Sequence, residues 1–385
     1  MPYKIYLVSI LKSKSKFTIK QIFKDHWASF RKTHKNIIRL VIILEVVRML
    51  SCGDCKKGYA LYHCSDCKRF KFVPFRCKSR FCNTCGVAYQ SDRADSISAK
   101  LINCRHRHIV FTIPQELRLI FRRDRELLNI LFLASAQVIM DWLYERNHKE
   151  SYTPGIISCI HTFGRDLKWN PHIHMLVTEG AAGNTKPWLN INFFPYAMLR
   201  KRWQATLLDH LEKQFGKDYF RRLKNIMYSN NKDGFYVHAP PSNFNSPKLV
   251  ANYITRYIGR PAMAQSRIFA YDGQNVSFWY QRHEDNKRED VTIPALEFIK
   301  LLIAHIHEKG FNTLRYYGLY AKKHKFSDQL IHLLPEHVVN TRRLFQRWAL
   351  RTELAFGHNP TKCHCGKYLD FLGVFLPGDL AFMPP

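Results

Sequence analysis

Acidic side chains are scarce in this 385-residue sequence: thirty Asp and Glu stand against sixty Lys and Arg. The resulting formal charge of +30 is spread along the whole chain rather than held in one tail, which is the balance of a polyanion binder. Long apolar runs are missing too. The longest, "IIRLVIILEVV" at 37–47, is about half a membrane span and carries Arg39 and Glu45, so it excludes a transmembrane helix and reads as a buried one. No secretory signal is seen, because the apolar part of "MPYKIYLVSILKSKSKF" is too short and no small-residue cleavage pattern follows it. A cytoplasmic setting is expected, and there the eleven cysteines are not disulfides by default. Internal repeats and low-complexity tracts are also lacking. What is plentiful is aromatic surface, 14% of residues, which suits base stacking and is not needed for anionic lipid. Nucleic acid is the partner these features favour, and the length predicts roughly two to three domains.

Eight of the eleven cysteines fall between Cys52 and Cys104, and seven of them form "CGDCKKGYALYHCSDCKRFKFVPFRCKSRFCNTC". Cys52 with Cys55, Cys64 with Cys67 and Cys82 with Cys85 are three CxxC pairs, and Cys77 stands alone between the last two. Each CxxC is a knuckle whose sulfurs reach one ion at about 2.3 Å, and two knuckles complete a tetrahedral zinc. Seven thiols are one short of two four-cysteine sites, and the eighth ligand is left open among His63, His26 and Cys104. The surrounding surface is cationic, with Lys78 and Arg80 among the residues expected to contact phosphates. A structural zinc clip with an incidentally charged surface is the plainer alternative.

Further along, "RHIVFTIP" at 107–114 alternates as a strand and residues 116–149 carry a helical apolar stripe. "GIISCIHTF" and "HIHMLVTEG" are strand-like runs joined by the polar turn "GRDLKWNP". A basic helical stretch over 196–227, a short strand at "GFYVHAP" and a helix over 246–260 follow. "SRIFAYDGQNVSFWYQ" reads as a hairpin turning at Asp272 and Gly273, and helix, strand ("NTLRYYGLYA") and helix complete the chain. The pattern predicts an α+β fold with a central antiparallel sheet flanked by helices, behind a helical and cysteine-rich zinc-binding domain. Pairing of the two central strands would bring His161 to His172 and His174, and three neutral imidazoles make a divalent-metal site with positions open to a phosphate. In "LVANYITRYIGRP", Tyr253 and Tyr257 share one helical face, with Arg256 and Arg260 lending positive charge. A phenol becomes a useful nucleophile only when a metal polarises the phosphate it attacks. Taken singly, such a tyrosine pair or HxH is as well explained by packing.

Together, the HxH strand and the downstream YxxxY helix resemble the HUH endonucleases, which nick single-stranded DNA through a 5′-phosphotyrosine. The closer resemblance is to the transposases of rolling-circle insertion sequences, the insertion sequence ninety-one family, in which a cysteine-rich zinc domain precedes the HUH domain. "CKSRFCNTCG", "HIVFTIPQELR", "HTFGRDLKWNPHIHMLVTEGA", "YITRYIGRPAMAQSRI" and "KGFNTLRYYGLYA" carry it. The resemblance implies that His172 and His174 hold Mg²⁺ or Mn²⁺, that Tyr253 and Tyr257 are the nucleophiles, and that Zn²⁺ is structural. His161 resembles the third histidine of conjugative relaxases. It further implies single-stranded ends of the chain's own mobile element as partner, in a bacterial, nucleoid-associated setting, with no small-molecule substrate and no membrane. The domains implied are 1–105 (helical and zinc-binding), 106–285 (HUH nuclease) and 286–385 (C-terminal extension). Two alternatives are a replication initiator or relaxase with the same chemistry, which the zinc module disfavours, and a noncatalytic zinc DNA-binding protein. One departure concerns "KCHCGKY": Cys363 and Cys365 are a single residue apart, no partner pair lies near them in sequence, and they receive no role.

Overall fold

The structure, a computed structural model, describes residues 17–98, 101–102, 104–240, 262–282, 285–321, 349, 352–353 and 357–378. Helix α1 (Ile19–Thr33) starts where the Thr18 hydroxyl accepts the Gln21 N–H at 3.0 Å, and it buries Ile19, Ile22, Phe23, Trp27 and Phe30 as one stripe. Helix α2 (Leu40–Leu50) is the long apolar run. It is not buried all round: Ile42, Val46 and Met49 face the core, whereas Leu40, Leu44 and Val47 are exposed. The expectation of a fully buried helix fails because Leu40 and Leu44 form a wall of an open cavity.

The small sheet of the cysteine-rich region consists of β1 (Tyr59–His63) and β2 (Phe70–Pro74), and α3 (Asn83–Ser98) follows. The central antiparallel sheet has six strands: β3 (His106–Thr112), β4 (Thr153–Phe163), β5 (Trp169–Ala182), β6 (Leu189–Asn190), β7 (Val237–His238) and β11 (Leu314–Gly318). Their order is β11-β4-β5-β3-β7, with β6 also paired to β5. The apolar stripe of 116–149 becomes two helices, α4 (Gln115–Arg123) and α5 (Leu128–Arg146), because the chain extends at Asp124. The basic stretch also becomes two, α6 (Tyr196–Phe215) and α7 (Lys217–Asn230), parted by Gly216 at φ +89°, a conformation glycine adopts without strain.

Alternation along the strands sorts the sheet into two faces. Ile109, Phe111, Ile156, Ile160, Ile173, Met175 and Val177 lie in one core with α4 to α7. The residues between them, Ile157, Cys159 and Leu176, belong to a separate cluster on the other face, and the histidines at 108, 161, 172 and 174 share that parity. A third core joins α1 and α2 to Cys82 and Cys85, to the expected hairpin of β8 (Ile268–Tyr271) and β9 (Asn275–Gln281), to β10 (Arg288–Pro294) and to α8 (Ala295–Ile303). The hairpin turns where expected: Gly273 has φ +94°, and the Asp272 carboxylate accepts the N–H groups of Gln274 and Asn275 at 2.8 and 2.6 Å. The last strand, β12 (Asp370–Phe375), does not join its sequence neighbours. It pairs with β1, giving the order β12-β1-β2. Among the described residues no helix is long and apolar enough to cross a membrane. The helix expected over 246–260, with Tyr253, Arg256, Tyr257 and Arg260, lies outside the described residues, as does most of the final helix.

One buried ion pair ties β3 to β5. The Arg107 guanidinium donates to Glu179 Oε1 at 2.7 Å through both Nε and Nη2, and both side chains are almost wholly excluded from solvent. Removing one partner strands a charge in low dielectric, which costs far more than the pair itself contributes. Glu179→Leu is therefore expected to lower unfolding free energy by about 3–5 kcal/mol, read as a shifted urea midpoint. A shift below about 1 kcal/mol would show that Arg107 finds another partner.

Candidate functional site

His161 and His172 stand directly opposite each other in the β4–β5 ladder, and His174 follows two residues along on the same face. One ring nitrogen from each lies within 4.8 Å of the others. His172 Nε2 and His174 Nε2 are 3.0 Å apart, and the His161 ring centroid is 4.6 Å from that of His174. The His172 Nδ1–H donates to the Asn170 carbonyl at 2.7 Å, which leaves the Nε2 lone pair aimed at its neighbours. The same 3.0 Å separation suits a hydrogen bond, in which a single proton is shared until a cation takes its place. Ligands at right angles on an octahedral ion at about 2.1 Å are about 3.0 Å apart, so the donors fit a divalent metal.

The sequence contained a second signal of the same kind. In β3, "HRHIVFT" also begins with an HxH, and His108 Nε2 lies 3.0 Å from His174 Nδ1 with the two rings parallel and 5.2 Å apart. His108 fixes which His174 nitrogen is offered to the centre, the usual task of a ligand's hydrogen-bond partner. Burial, reinforced by His238 and His172, brings His108 down to about 3, so it is neutral at pH 7. Burial together with His161, His172 and His108 likewise holds His174 well below the ordinary histidine value, and a neutral imidazole is the form that binds metal. Among the described residues no carboxylate joins the three ligands.

The cysteines form two groups of four. Cys52, Cys77, Cys82 and Cys85 have sulfurs within 4.8 Å of one another, with Cys85 Sγ 3.5 Å from both Cys52 and Cys77. All are free thiols, at separations too long for a disulfide and near the edges of about 3.8 Å expected of a tetrahedral zinc–sulfur site. Cys55 joins neither group. Asp54 caps a tight turn over Cys55–Lys57, accepting the Lys56 N–H at 3.0 Å, and the place beside Cys52 goes to Cys77, whose N–H points at Cys52 Sγ from 3.5 Å. Cys64 and Cys67 gather instead with Cys363 and Cys365, the pair left without a role by the sequence. The candidates for an eighth ligand are placed elsewhere. His26 bonds the Tyr271 hydroxyl and Gly273 carbonyl, His63 packs on Phe70, and Cys104 is pushed up to about 12 by burial and the Glu179 charge.

The histidine site and the Cys52 group both fall within matches to known families. Residues 22–113 match the family described as a transposase zinc-binding domain, and residues 155–327 match one described as a putative transposase. The second range contains His161, His172 and His174, and the first holds the Cys52 group. The chain belongs to the transposases of the insertion sequence ninety-one family. It is 29% identical over 303 residues to the transposase for insertion sequence element IS801 of Pseudomonas savastanoi pv. phaseolicola, covering 74% of this chain and 72% of that one. A putative transposase, y4qJ, of Sinorhizobium fredii is 23% identical over 328 residues, covering 80% and 81%. No solved structure matches.

In this transposase the zinc module and the histidine sheet face each other across a cavity of about 750 Å³. His161 lines it from the sheet, Lys78 and Arg80 from the cysteine-rich segment, and Lys309 from the loop before β11. The two expected phosphate contacts differ in freedom. Lys78 is exposed, at φ +55°, whereas Arg80 is half-buried and donates to the Phe311 carbonyl at 3.0 Å and to the Thr313 hydroxyl. Arg80 thus joins the module to the sheet edge before it can contact DNA.

Two outcomes test the site. The Cys82→Ser, Cys85→Ser double variant is expected to carry at least one zinc fewer than the parent by elemental analysis, and an equal count would remove these thiols from any metal site. His108→Ala is expected to weaken Mn²⁺ binding about 10- to 100-fold while His161, His172 and His174 stay in place, measured by electron paramagnetic resonance titration. Unchanged affinity would show that His174 is oriented without it.

Proposed function

We propose that the chain nicks and rejoins single-stranded DNA at the ends of its own mobile element, moving it by a rolling-circle route through 5′-phosphotyrosine intermediates. The observation that carries this reading is the group of three imidazoles on β4 and β5, set on the sheet face opposite α4 to α7, with His161 lining a cavity that has basic walls. His161, His172 and His174 would hold Mg²⁺ or Mn²⁺, which when bound polarises the scissile phosphate and stabilises charge developing on its oxygens. The three described ligands are uncharged donors when neutral, so they would leave the ion's charge to act on the phosphate.

The nucleophile in this reading is the phenolate of Tyr253 or Tyr257. Attack forms a tyrosine–phosphorus bond and releases the 3′ oxygen, which takes a proton and becomes a hydroxyl; the conserved bond energy lets the strand be rejoined without ATP. Support comes from covalent reach. Ala262 and Met263 line the same cavity as His161, and the Asn83 side chain holds the Met263 carbonyl at 3.1 Å. The five-residue step from Tyr257 to Ala262 spans at most about 18 Å. With two tyrosines, one keeps the first cut end while the other attacks the next junction. Arg256, Arg260 and Lys78 are assigned to the DNA backbone, whose phosphates supply most of the affinity. The zinc module favours a transposase over a replication initiator or relaxase of the same chemistry.

Single-stranded oligonucleotides carrying the element's end, incubated with Mn²⁺, test the assignment. His172→Ala, His174→Ala should abolish nicking while DNA affinity stays within about threefold, since phosphate contacts are untouched. Nicking by this variant in chelator would make the histidines structural. Tyr253→Phe and Tyr257→Phe should each keep some cleavage and lose complete strand transfer, and the double variant should form no adduct by peptide mass. An adduct on any other residue, or full transfer by the double variant, defeats the tyrosine assignment.

A further inference from the structure

Four thiols remain outside the family's zinc-binding match or split across its boundary. Cys64 and Cys67 follow β1, and Cys363 and Cys365 lie 296 to 301 residues further along the chain. Cys64 Sγ is 3.6 Å from Cys365 Sγ, Cys67 Sγ is 3.3 Å from Cys363 Sγ, and all four sulfurs fall within 4.8 Å of one another. A disulfide needs about 2.05 Å, and a tetrahedral zinc–thiolate site has edges of about 3.8 Å.

Both pairs are presented by tight, closed turns. After Cys64 the chain folds back so that the Lys68 N–H donates to the Cys64 carbonyl at 2.9 Å, and Lys68 takes φ +56° to close the loop. The Cys363 N–H donates to the Lys367 carbonyl at 2.8 Å, and Gly366, at φ +85°, donates to the Cys363 carbonyl at 3.0 Å. The single-residue spacing that made this pair look unpromising is accommodated by that hairpin, which turns both sulfurs toward the Cys64 knuckle.

Apolar packing does not explain why this distant segment docks. Phe371, Leu372 and Val374 of β12 are each more than half exposed, and the small sheet buries little beyond Tyr59, Leu61 and Leu369. Beyond the β1–β12 ladder and the contacts of Phe375 with Tyr59 and Phe371 with Tyr62, the side-chain polar contacts are superficial: Lys367 to Asp66 at 3.8 Å and Lys71 Nζ to the Lys362 carbonyl at 3.0 Å. An edge strand held by its ladder with so little apolar burial gains from a further attachment, and metal ligation supplies folding free energy directly. Charge agrees. Four thiolates around Zn²⁺ carry a net −2, and Lys68, Arg69, Lys71, Lys362 and Lys367 flank the four cysteines in the sequence.

We infer that Cys64, Cys67, Cys363 and Cys365 bind a second Zn²⁺ that staples the β12 segment onto the zinc module. The inference is independent of the nicking chemistry, since it rests on sulfur positions alone. It also distinguishes the two ions. Cys67 and Cys365 are exposed, whereas Cys82 and Cys85 are buried, so the stapling ion is the one reagents reach first.

The unaltered full chain, purified with reductant and without added metal, should contain two zinc ions by elemental analysis. Titration of its thiols with a mercurial in the presence of a chromogenic chelator should release them in two steps. Cys363→Ser, Cys365→Ser should retain one zinc, Cys64→Ser, Cys67→Ser should retain one, and the quadruple variant should also retain one, because the two pairs share a single ion. One zinc in the unaltered chain overturns the proposal whether or not the variants fold. So do iron in place of the second zinc, stepwise loss to zero in the quadruple variant, or Cys64–Cys365 and Cys67–Cys363 disulfides found by peptide mass under denaturing, non-reducing conditions.

Discussion

A slip of one residue between β4 and β5 would carry His172 and His174 onto the helix-packed face and expose Ile173 and Met175 in their place, so the whole site rests on one strand register. Several independent contacts hold it. Ile156 and Ile160 on one strand, and Ile173, Met175 and Val177 on the other, commit the same face of both to the main core. The turn between them is built rather than merely permitted: the Gly164 N–H donates to the Lys168 carbonyl at 3.0 Å, and Asp166 accepts the Lys168 N–H at 3.1 Å. From outside, Trp169 Nε1 donates to the Arg118 carbonyl at 2.9 Å, and His305 Nε2 donates to the Leu167 carbonyl at 2.8 Å. A three-histidine centre that tolerates little displacement needs ligands on strands whose positions are fixed this many times over.

Local pattern made part of this legible. Alternation over 107–114 and across the two central runs identified the central sheet, and Asp272-Gly273 marked the separate β8–β9 hairpin, because those signals are set by neighbours in sequence. His161, His172 and His174 could be grouped since an antiparallel turn of known length fixes which residues meet. His108 was equally visible as half of an HxH, but its use depends on β3 lying beside β5, which no local signal reveals. The cysteines show the limit most sharply. CxxC spacing paired Cys52 with Cys55, yet a tight turn capped by Asp54 separates them and Cys77 takes the position. Spacing also left Cys363 and Cys365 alone, since their neighbours are about 300 residues away. Strand β12 was silent for a related reason: a strand whose apolar residues stay exposed lacks the half-buried alternation that betrays one.

The scarcity of acid has a second meaning inside the fold. Some of the cations are turned toward the interior, and carboxylates meet them there: Glu179 serves buried Arg107 as well as exposed Arg105, and Glu308 serves part-buried Arg39. Where no acid is to hand, other means appear. Arg125 lies 4.4 Å over the Trp169 ring and donates to the Ala304 carbonyl at 2.8 Å; burial, with Arg39 and Arg122 nearby, brings it down to about 9. Arg80, Arg107 and Arg125 are therefore spent within the fold and are not free to meet phosphate. Lys78, exposed at the cavity, is available in a way that Arg80 and Arg107 are not.

Two kinds of donor set in one chain raise a question of metal discrimination. Imidazole binds Zn²⁺ more tightly than Mn²⁺ or Mg²⁺ in the general order of divalent affinities, so the histidine centre has no intrinsic preference for the harder ions. The thiolate groups do prefer zinc, and they close around it with four sulfurs, leaving no position for substrate. The histidine centre offers three imidazole nitrogens and, among the described residues, no carboxylate, so negative oxygens from a phosphate would strengthen its hold on an ion. On the proposed reading, substrate is then part of the metal site rather than a visitor to it. An ion that favours six ligands and phosphate oxygens gains from that completion, whereas zinc, content with four, gains less. Discrimination would arise when DNA binds, from the positions that the three histidines leave open.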